Sequence, residues 1–350
     1  MAPMRLRRTA AATLGLLALV PALAACGDDG AAIAVGDVVE ARQDDQFVGT
    51  GTESIVALPI GRLEISAGKP TTQLTADDTH QLEAIEAPAG SAFVPITWQY
   101  DAGTFGDYAD YADTDTNPTI DLVADKASYR IPAPETSGRG AESFYVLVSG
   151  DGEDASLAVD FDGVTQTVVL GTGERDEGRA APLYDLRAPS SQTTSCTAAT
   201  KFTFEGVGRL PDYECKVGKP FRLPYAGGAW AEDGGTWYVV TLKTTLRRFN
   251  QASADLKSGG VYVAAGVDSS FKLGKLKPTK VIVDKTETVC PDGHLGGCSI
   301  QYLLVFGAGK KAPGTLRLAQ TYDMALAQVF GEGDPAEELQ ITSKASIKLR

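Results

Sequence analysis

An acidic segment, residues 100–121, is the densest group of side chains that could bind a cation. Its sequence, YDAGTFGDYADYADTDTNPTID, has no Lys or Arg and holds six aspartates: Asp101, Asp107, Asp110, Asp113, Asp115 and Asp121. Hard cations favour clustered carboxylates. The run from Asp113 begins like a calcium loop, but Pro118 stands where the loop needs glycine and Ala124 where it needs a bidentate glutamate. We therefore predict a solvated loop without metal ligands, and calcium binding is the alternative.

Two Ser-x-x-Lys spacings could in principle supply a nucleophile, Ser66 with Lys69 and Ser269 with Lys272. On a helical turn this spacing lets the lysine activate the serine, but both lie among strand-like runs. The chain has only two histidines and lacks the GxSxG, HExxH and GxxxxGK motifs. We predict that the protein is not an enzyme, with no catalytic residue and no cofactor. The alternative is a cell-wall-modifying hydrolase that uses paired aspartates.

Four cysteines lie in the second half of the chain: Cys196, Cys215, Cys290 and Cys298. In an exported protein an even number predicts disulfides, here two with three possible pairings. The sequence CPDGHLGGC (290–298) has the Pro, Asp and Gly of a turn and favours a Cys290–Cys298 bond, with Cys196–Cys215 as the second. A metal site is the competing interpretation, but only His294 lies nearby and no CxxC spacing exists.

The N-terminus predicts export and lipid attachment. Residues 1–25 combine three arginines, an apolar run and small residues, as a signal peptide does. The motif LAAC, ending at Cys26, resembles the lipobox of bacterial lipoproteins, in which the cysteine becomes the lipidated N-terminus. Residues 26–30 then form the lipidated cysteine and a short tether. This resemblance implies a protein held at the extracytoplasmic face of the cell membrane.

Four sequence segments recur in the same order, with offsets that range only from 145 to 159. Segments 60–70, 90–98, 118–131 and 144–161 resemble segments 207–220, 235–242, 277–290 and 301–320. Each unit is a series of short runs rich in Val, Ile, Thr and aromatic residues, separated by Gly, Pro and Asp. We therefore predict an all-β protein with two tandem antiparallel β-sandwiches that arose by internal duplication.

The predicted domains are an acidic sandwich at 31–180, a linker at 181–193 and a basic, disulfide-containing sandwich at 194–350. The pattern GSAFVPITW followed by PTIDLVAD resembles the immunoglobulin-like sandwiches of secreted actinobacterial proteins and lipoproteins. The resemblance implies an immunoglobulin-like fold and an extracellular setting, and it brings no catalytic residues.

The two halves differ sharply in charge. Residues 27–190 carry a net charge of −21 and residues 191–350 a net charge of +5. We expect the acidic region 101–121 to face the basic region 243–280 of the same chain or of a neighbouring molecule, both interpreted as loops at one topological position, and the alternative is that each charged region only keeps its own half soluble. The predicted function is binding of an unidentified protein or anionic wall polymer, and nucleic acid is disfavoured by charge and location. A divalent-cation-binding or envelope sensor module is a further alternative, and the sequence leaves the oligomeric state open.

Overall fold

The computed structural model describes residues 33–104, 108–134, 140–186, 190–232, 235–290, 297–307, 309 and 314–349. Residues 34–350 form one compact unit. Within the described ranges, no helix is long and apolar enough to cross a membrane. Cys26 and the predicted signal peptide lie outside the described residues, as do Asp107 and His294.

The first half builds two five-stranded antiparallel sheets. Their orders are β1-β9-β6-β3-β2 and β12-β11-β10-β7-β8, and a short β4-β5 pair lies beside them. The strands are β1 (Val38–Glu40), β2 (Thr52–Leu58), β3 (Gly61–Ala67), β4 (Gln73–Leu74), β5 (Ile85–Glu86), β6 (Ser91–Asp101), β7 (Thr119–Ala124), β8 (Ala127–Ile131), β9 (Ala141–Ser149), β10 (Ser156–Phe161), β11 (Val164–Val169) and β12 (Arg175–Asp176). Alternation sets their faces: in β10, Leu157, Val159 and Phe161 are buried and the residues between them are half-buried.

The second half builds an eleven-stranded antiparallel sheet whose main path is β13-β16-β20-β21-β24-β25-β14. Its strands, with the short β18-β19 pair, are β13 (Thr193–Ser195), β14 (Thr200–Phe204), β15 (Val207–Gly208), β16 (Asp212–Gly218), β17 (Phe221–Leu223), β18 (Tyr225–Ala226), β19 (Ala229–Trp230), β20 (Trp237–Ala252), β21 (Gly259–Leu273), β22 (Lys280–Val283), β23 (Cys298–Phe306), β24 (Thr315–Phe330) and β25 (Glu338–Lys348). One α-helical turn, α1 (Ala109–Ala112), and two 3₁₀ turns, Gly178–Leu183 and Thr197–Ala199, complete the described elements.

Strand β23 from Tyr302 to Phe306, and β20 at Val239 and Val240, are buried on both faces. In β20, Val239 belongs to the hydrophobic core of the first half, whereas its neighbour Val240 belongs to the core of the second half. In β23, Leu303 and Leu304 divide in the same way. A strand with two buried faces reads as a continuous apolar run, as in the sequence YLLVF. The two cores therefore share this sheet as a common wall.

The same succession of strand pairings occurs in both halves. The first half has β3-β6-β9 and β7-β10-β11, and the second has β16-β20-β23 and β21-β24-β25. In this succession β21 takes the place that β7 has in the first half. The sequence match between 118–131 and 277–290 instead aligns β7 with the region of β22, which pairs with β23.

The strand-rich pattern of the sequence is confirmed, with local corrections. Residues 54–66 are a single strand-like run in the sequence but lie in a hairpin of β2 and β3, and the strand-like run 119–131 is a hairpin that turns at Asp125 and Lys126, both at positive φ. Of the strand-like run 81–87 only β5 forms a strand. Segment 323–330, DMALAQVF, is helix-like in composition, aligns with strand-like residues of the first half and lies within β24.

Candidate functional site: a cationic face of the larger sheet

The acidic segment lies where the first half contacts the second. The rings of Tyr108 and Tyr111 pack against Phe221, with centroids 5.2 and 4.9 Å away. The hydroxyls of Tyr111 and Thr241 are 2.5 Å apart, and the backbone N–H of Gly227 donates to the carbonyl of Tyr111 over 2.8 Å. Aromatic packing and backbone hydrogen bonds thus hold the segment in place.

Three of the described aspartates of this segment have separate partners. Asp113 forms an ion pair with Lys280, with Nζ 2.8 Å from the carboxylate, and Asp121 accepts two hydrogen bonds from the guanidinium of Arg130. The carboxylate of Asp101 accepts from the backbone N–H of Gly103 and is 3.9 Å from a guanidinium nitrogen of Arg62. In the part of the chain that the structure describes, no three His, Cys, Asp or Glu residues group to hold a metal.

Both favoured disulfides are present, Cys196–Cys215 and Cys290–Cys298, with Cα–Cα distances of 4.9 and 4.5 Å. Cys215 and Cys298 are fully buried in the core of the second half. The first bond ties the segment before β14 to β16, and the second ties the segment after β22 to β23. The disulfides therefore lie in the scaffold of the second half.

Four neighbouring cations lie on the exposed face of strands β21, β24, β25 and β14, and β25 carries a fifth, Lys348, at its end. We call Lys272, Arg317, Lys344 and Lys201 the cationic sheet face. Each side chain is exposed, and its neighbours in the strand point to the opposite face: Phe271 and Leu273, for example, are buried on either side of Lys272. The strand pattern therefore forces these cations outward.

Register places these cations directly opposite one another. Lys272 pairs with Arg317 across β21 and β24, and Lys344 pairs with Lys201 across β25 and β14. Like charges directly opposite each other in a sheet destabilise it. Among the described residues, none of the four has a carboxylate within 4.0 Å. The face therefore carries two uncompensated repulsive pairs.

Strands β16 and β20 contain a similar pair, but there the charge is compensated. Lys216 lies opposite Lys243. The ammonium of Lys243 is 2.6 Å from Glu287, and that of Lys216 is 3.9 Å from Glu214. Hydrogen bonds and charge from Arg247 also hold the pKa of Glu214 below its usual value. The facing pair of Lys216 and Lys243 is therefore compensated by nearby carboxylates, whereas the two facing pairs of the cationic sheet face are not.

The cationic sheet face lines a shallow groove of about 450 Å³. Ser270, Ala319 and Ser346 lie between the cations, so its floor carries small side chains and two hydroxyls. Farther along the same strands the exposed charges become negative, at Asp268, Asp323 and Glu338. The outer face is therefore positive at one end and negative at the other.

A buried polar network fixes the register beneath this face. The amide nitrogen of Gln320 donates to Thr244 and Ser269, each over 3.1 Å, and its oxygen accepts from Tyr322 over 2.9 Å. The hydroxyl of Tyr213 donates to the same oxygen over 3.4 Å. Burial raises the pKa of Tyr213 and of Tyr322 well above the usual value. A one-residue slip would expose this network and turn the cations inward, so the network helps to position them.

Local sequence patterns do not reveal this site, because its members are separated by up to 143 positions. The basic residues of 243–280 were expected to lie in a loop. That assignment was wrong, since Lys243 lies in β20 and Lys272 in β21. A usable signal was present, because FKL and LRL each place one cation between two inward apolar residues.

Comparisons with known proteins assign no family. No family model and no curated protein match the chain. One solved structure, titled "The crystal structure of the conserved domain protein from Bacillus anthracis", is similar at 6% identity, covering 89% of this chain and 95% of that one, with a TM-score of 0.21. A similarity at that score assigns neither fold nor function.

Proposed function

We propose that this chain is a non-enzymatic lipoprotein of the cell surface, and that its cationic sheet face binds an anionic ligand. The two uncompensated like-charged pairs carry the proposal, because residues that break a local stability rule without compensation occur at functional sites. An anion seated between the pairs would relieve their repulsion. The compensated pair of Lys216 and Lys243 is the internal contrast.

The proposed location rests on the N-terminal motif and on the cysteines. The lipobox-like LAAC supports lipidation of Cys26. Two disulfides in the second half fit an oxidising compartment, since bonds of this kind persist outside the cytosol. Together they support a protein held by lipid at the extracytoplasmic face of the membrane.

The proposed architecture is two immunoglobulin-like sandwiches that arose by duplication. Its support is the matching succession of strand pairings in the two halves, together with the recurrent sequence segments 60–70, 90–98 and 144–161, which agree with that succession. The shared wall of β20 and β23 gives the two halves a single packed body. In a single body the cationic sheet face would keep a fixed orientation relative to the first half, which follows the proposed lipid anchor at Cys26.

The partners of Asp113 and Asp121 support structural roles for these aspartates over the two alternative functions, a hydrolase with paired aspartates and a cation-binding sensor. Asp113 and Asp121 are engaged by Lys280 and Arg130, which supports a role in holding the acidic segment rather than in hydrolysis or cation sensing.

Retention on a cation-exchange matrix at pH 7 tests the ligand chemistry. The chain has a net charge of −13 and a pI near 4.7, so retention at low salt requires a local positive face. The double variant Lys272→Gln/Lys344→Gln should flow through. The matched control, Lys216→Gln/Lys243→Gln, removes the same charge from the compensated pair and should be retained like the parent. Loss of retention in both variants, or in neither, would contradict the proposal.

A further inference from the structure

We infer that the ligand of the cationic sheet face is a linear phosphate polymer that crosses the four strands diagonally. This inference rests on the proposed function, because it names the class of anion that the face is proposed to bind. It goes beyond that function in assigning a chain-like ligand and its direction.

The four cations form a single file. In strand order they run Lys272, Arg317, Lys344 and Lys201, and the second pair is displaced from the first by two residues along the strands. Three steps between strands at about 4.8 Å, with one axial step of about 6.8 Å, separate the outer Cα atoms by about 16 Å. A small anion reaches at most two neighbouring cations in such a line. A ligand that reaches all four must carry several charges along a chain.

The floor of the groove fits a narrow chain. Ala319 adds only a methyl group between the cations, and the hydroxyl of Ser346 can donate to a phosphate oxygen, whereas that of Ser270 donates to the Ala319 carbonyl over 3.5 Å. The guanidinium of Arg317 has the fork geometry that binds phosphate oxygens in pairs. The chemistry available in the groove is therefore phosphate recognition by charge and by a neutral donor together.

The negative end of the face indicates the direction in which the polymer crosses the strands. It also argues against binding of the face to a flat anionic surface. A polymer that ran along the strands would reach the exposed Asp268 and then Asp323. A bilayer of anionic lipid laid on the face would meet those carboxylates and Glu338 as well. A chain that crosses the strands contacts the cations and leaves the carboxylates in solvent.

A titration with anions of increasing length tests the inference. The full chain, purified in a neutral detergent, is titrated with long-chain polyphosphate, with tripolyphosphate and with inorganic phosphate as probes. Affinity per phosphate should rise with length. Four contacts to a single-stranded polyanion predict a slope of log K against log salt of roughly −3, which is about fifty-fold weaker binding at 200 mM than at 50 mM salt.

Charge variants and competing ligands test whether polyphosphate binds at the cationic sheet face. Lys272→Gln/Lys344→Gln should weaken polyphosphate binding at least tenfold and halve the salt slope, whereas Lys216→Gln/Lys243→Gln should change the affinity less than twofold. Polyglutamate and micelles doped with phosphatidylglycerol should compete poorly.

Three results would overturn the inference: inorganic phosphate that binds as well per phosphate as the polymer, polyglutamate that binds equally well, or phosphatidylglycerol micelles that displace the polymer. If the chain is still retained by the cation exchanger through Lys272 and Lys344, only the polymer assignment fails. If that retention is also absent, the proposed function fails with it.

Discussion

Replacing Lys344 by Glu should stabilise the protein and weaken its binding of anions at the same time. Lys344 lies directly opposite Lys201, and both side chains are exposed. The substitution turns a repulsive cross-strand pair into an attractive one. It also lowers the charge of the cationic sheet face by two, from +4 to +2.

The magnitude follows from the register. Cross-strand charge pairs contribute roughly 0.2–1 kcal/mol, and exposed ones lie toward the lower end because solvent screens them. Removing the repulsion and adding the attraction together give a gain of about 0.5–1 kcal/mol. For a protein of this size that corresponds to a rise in Tm of about 1 °C.

Thermal unfolding at low salt and at 1 M salt is the assay. The Debye length falls to about 3 Å at 1 M, so the difference between Lys344→Glu and the parent should largely disappear there. Lys344→Gln removes only the repulsion and should give about half of the gain. Lys348→Glu is the comparison on the same strand and should give a smaller gain, because Lys348 lies opposite the uncharged Thr315 and only diagonal to Arg317. A Tm for Lys344→Glu that does not rise at low salt, or a rise that persists at 1 M salt, would refute the electrostatic reasoning.

The other predictions concern the anchor, the disulfides and the buried hydroxyls. Cys26→Ala should release the protein from the membrane fraction, and a variant that stays membrane-bound in low and in high salt would contradict lipidation. Native exported protein should show no alkylatable thiol at Cys196, Cys215, Cys290 or Cys298 before reduction, and mass spectrometry after alkylation measures this. Gln320→Ala should lower the free energy of unfolding by about 2–4 kcal/mol in denaturant titrations, because it removes the shared partner of several buried hydroxyls, whereas an exposed change such as Gln340→Ala should cost far less. Burial raises the pKa of Tyr225 to about 12, so the unfolded chain loses that proton first as the pH rises; stability should fall from pH 10 upward, and by less in Tyr225→Phe, in Tm measurements against pH.

Much of the secondary structure could be predicted from residue types alone. The alternating run SLAVDF predicts a strand and forms β10, and the unbroken apolar run YLLVF predicts a buried strand and lies in β23. The turn residues between Cys290 and Cys298 favoured the disulfide that the structure contains. These features are local, since each depends on residues within about ten positions.

The register between distant strands could not be predicted in this way. The cationic sheet face exists only because β14 pairs with β25 at Lys201 and Lys344, and β21 pairs with β24 at Lys272 and Arg317. Each cation alone is an ordinary exposed strand residue. The information that sets them opposite one another includes buried contacts such as those of Gln320, which no local pattern reveals.

The charge difference between the halves correctly predicted that the acidic segment contacts the second half, but charge explains only a small part of what holds that contact. The acidic segment does contact the second half, and Asp113 does pair with Lys280. Both partners of that pair are partly exposed, however, so it contributes little. The contact is dominated by Tyr108, Tyr111 and Phe221 and by the shared wall of β20 and β23, all of which salt leaves intact. Because this apolar contact joins the halves, the cations of the cationic sheet face take no part in holding the halves together. They remain available for the proposed ligand.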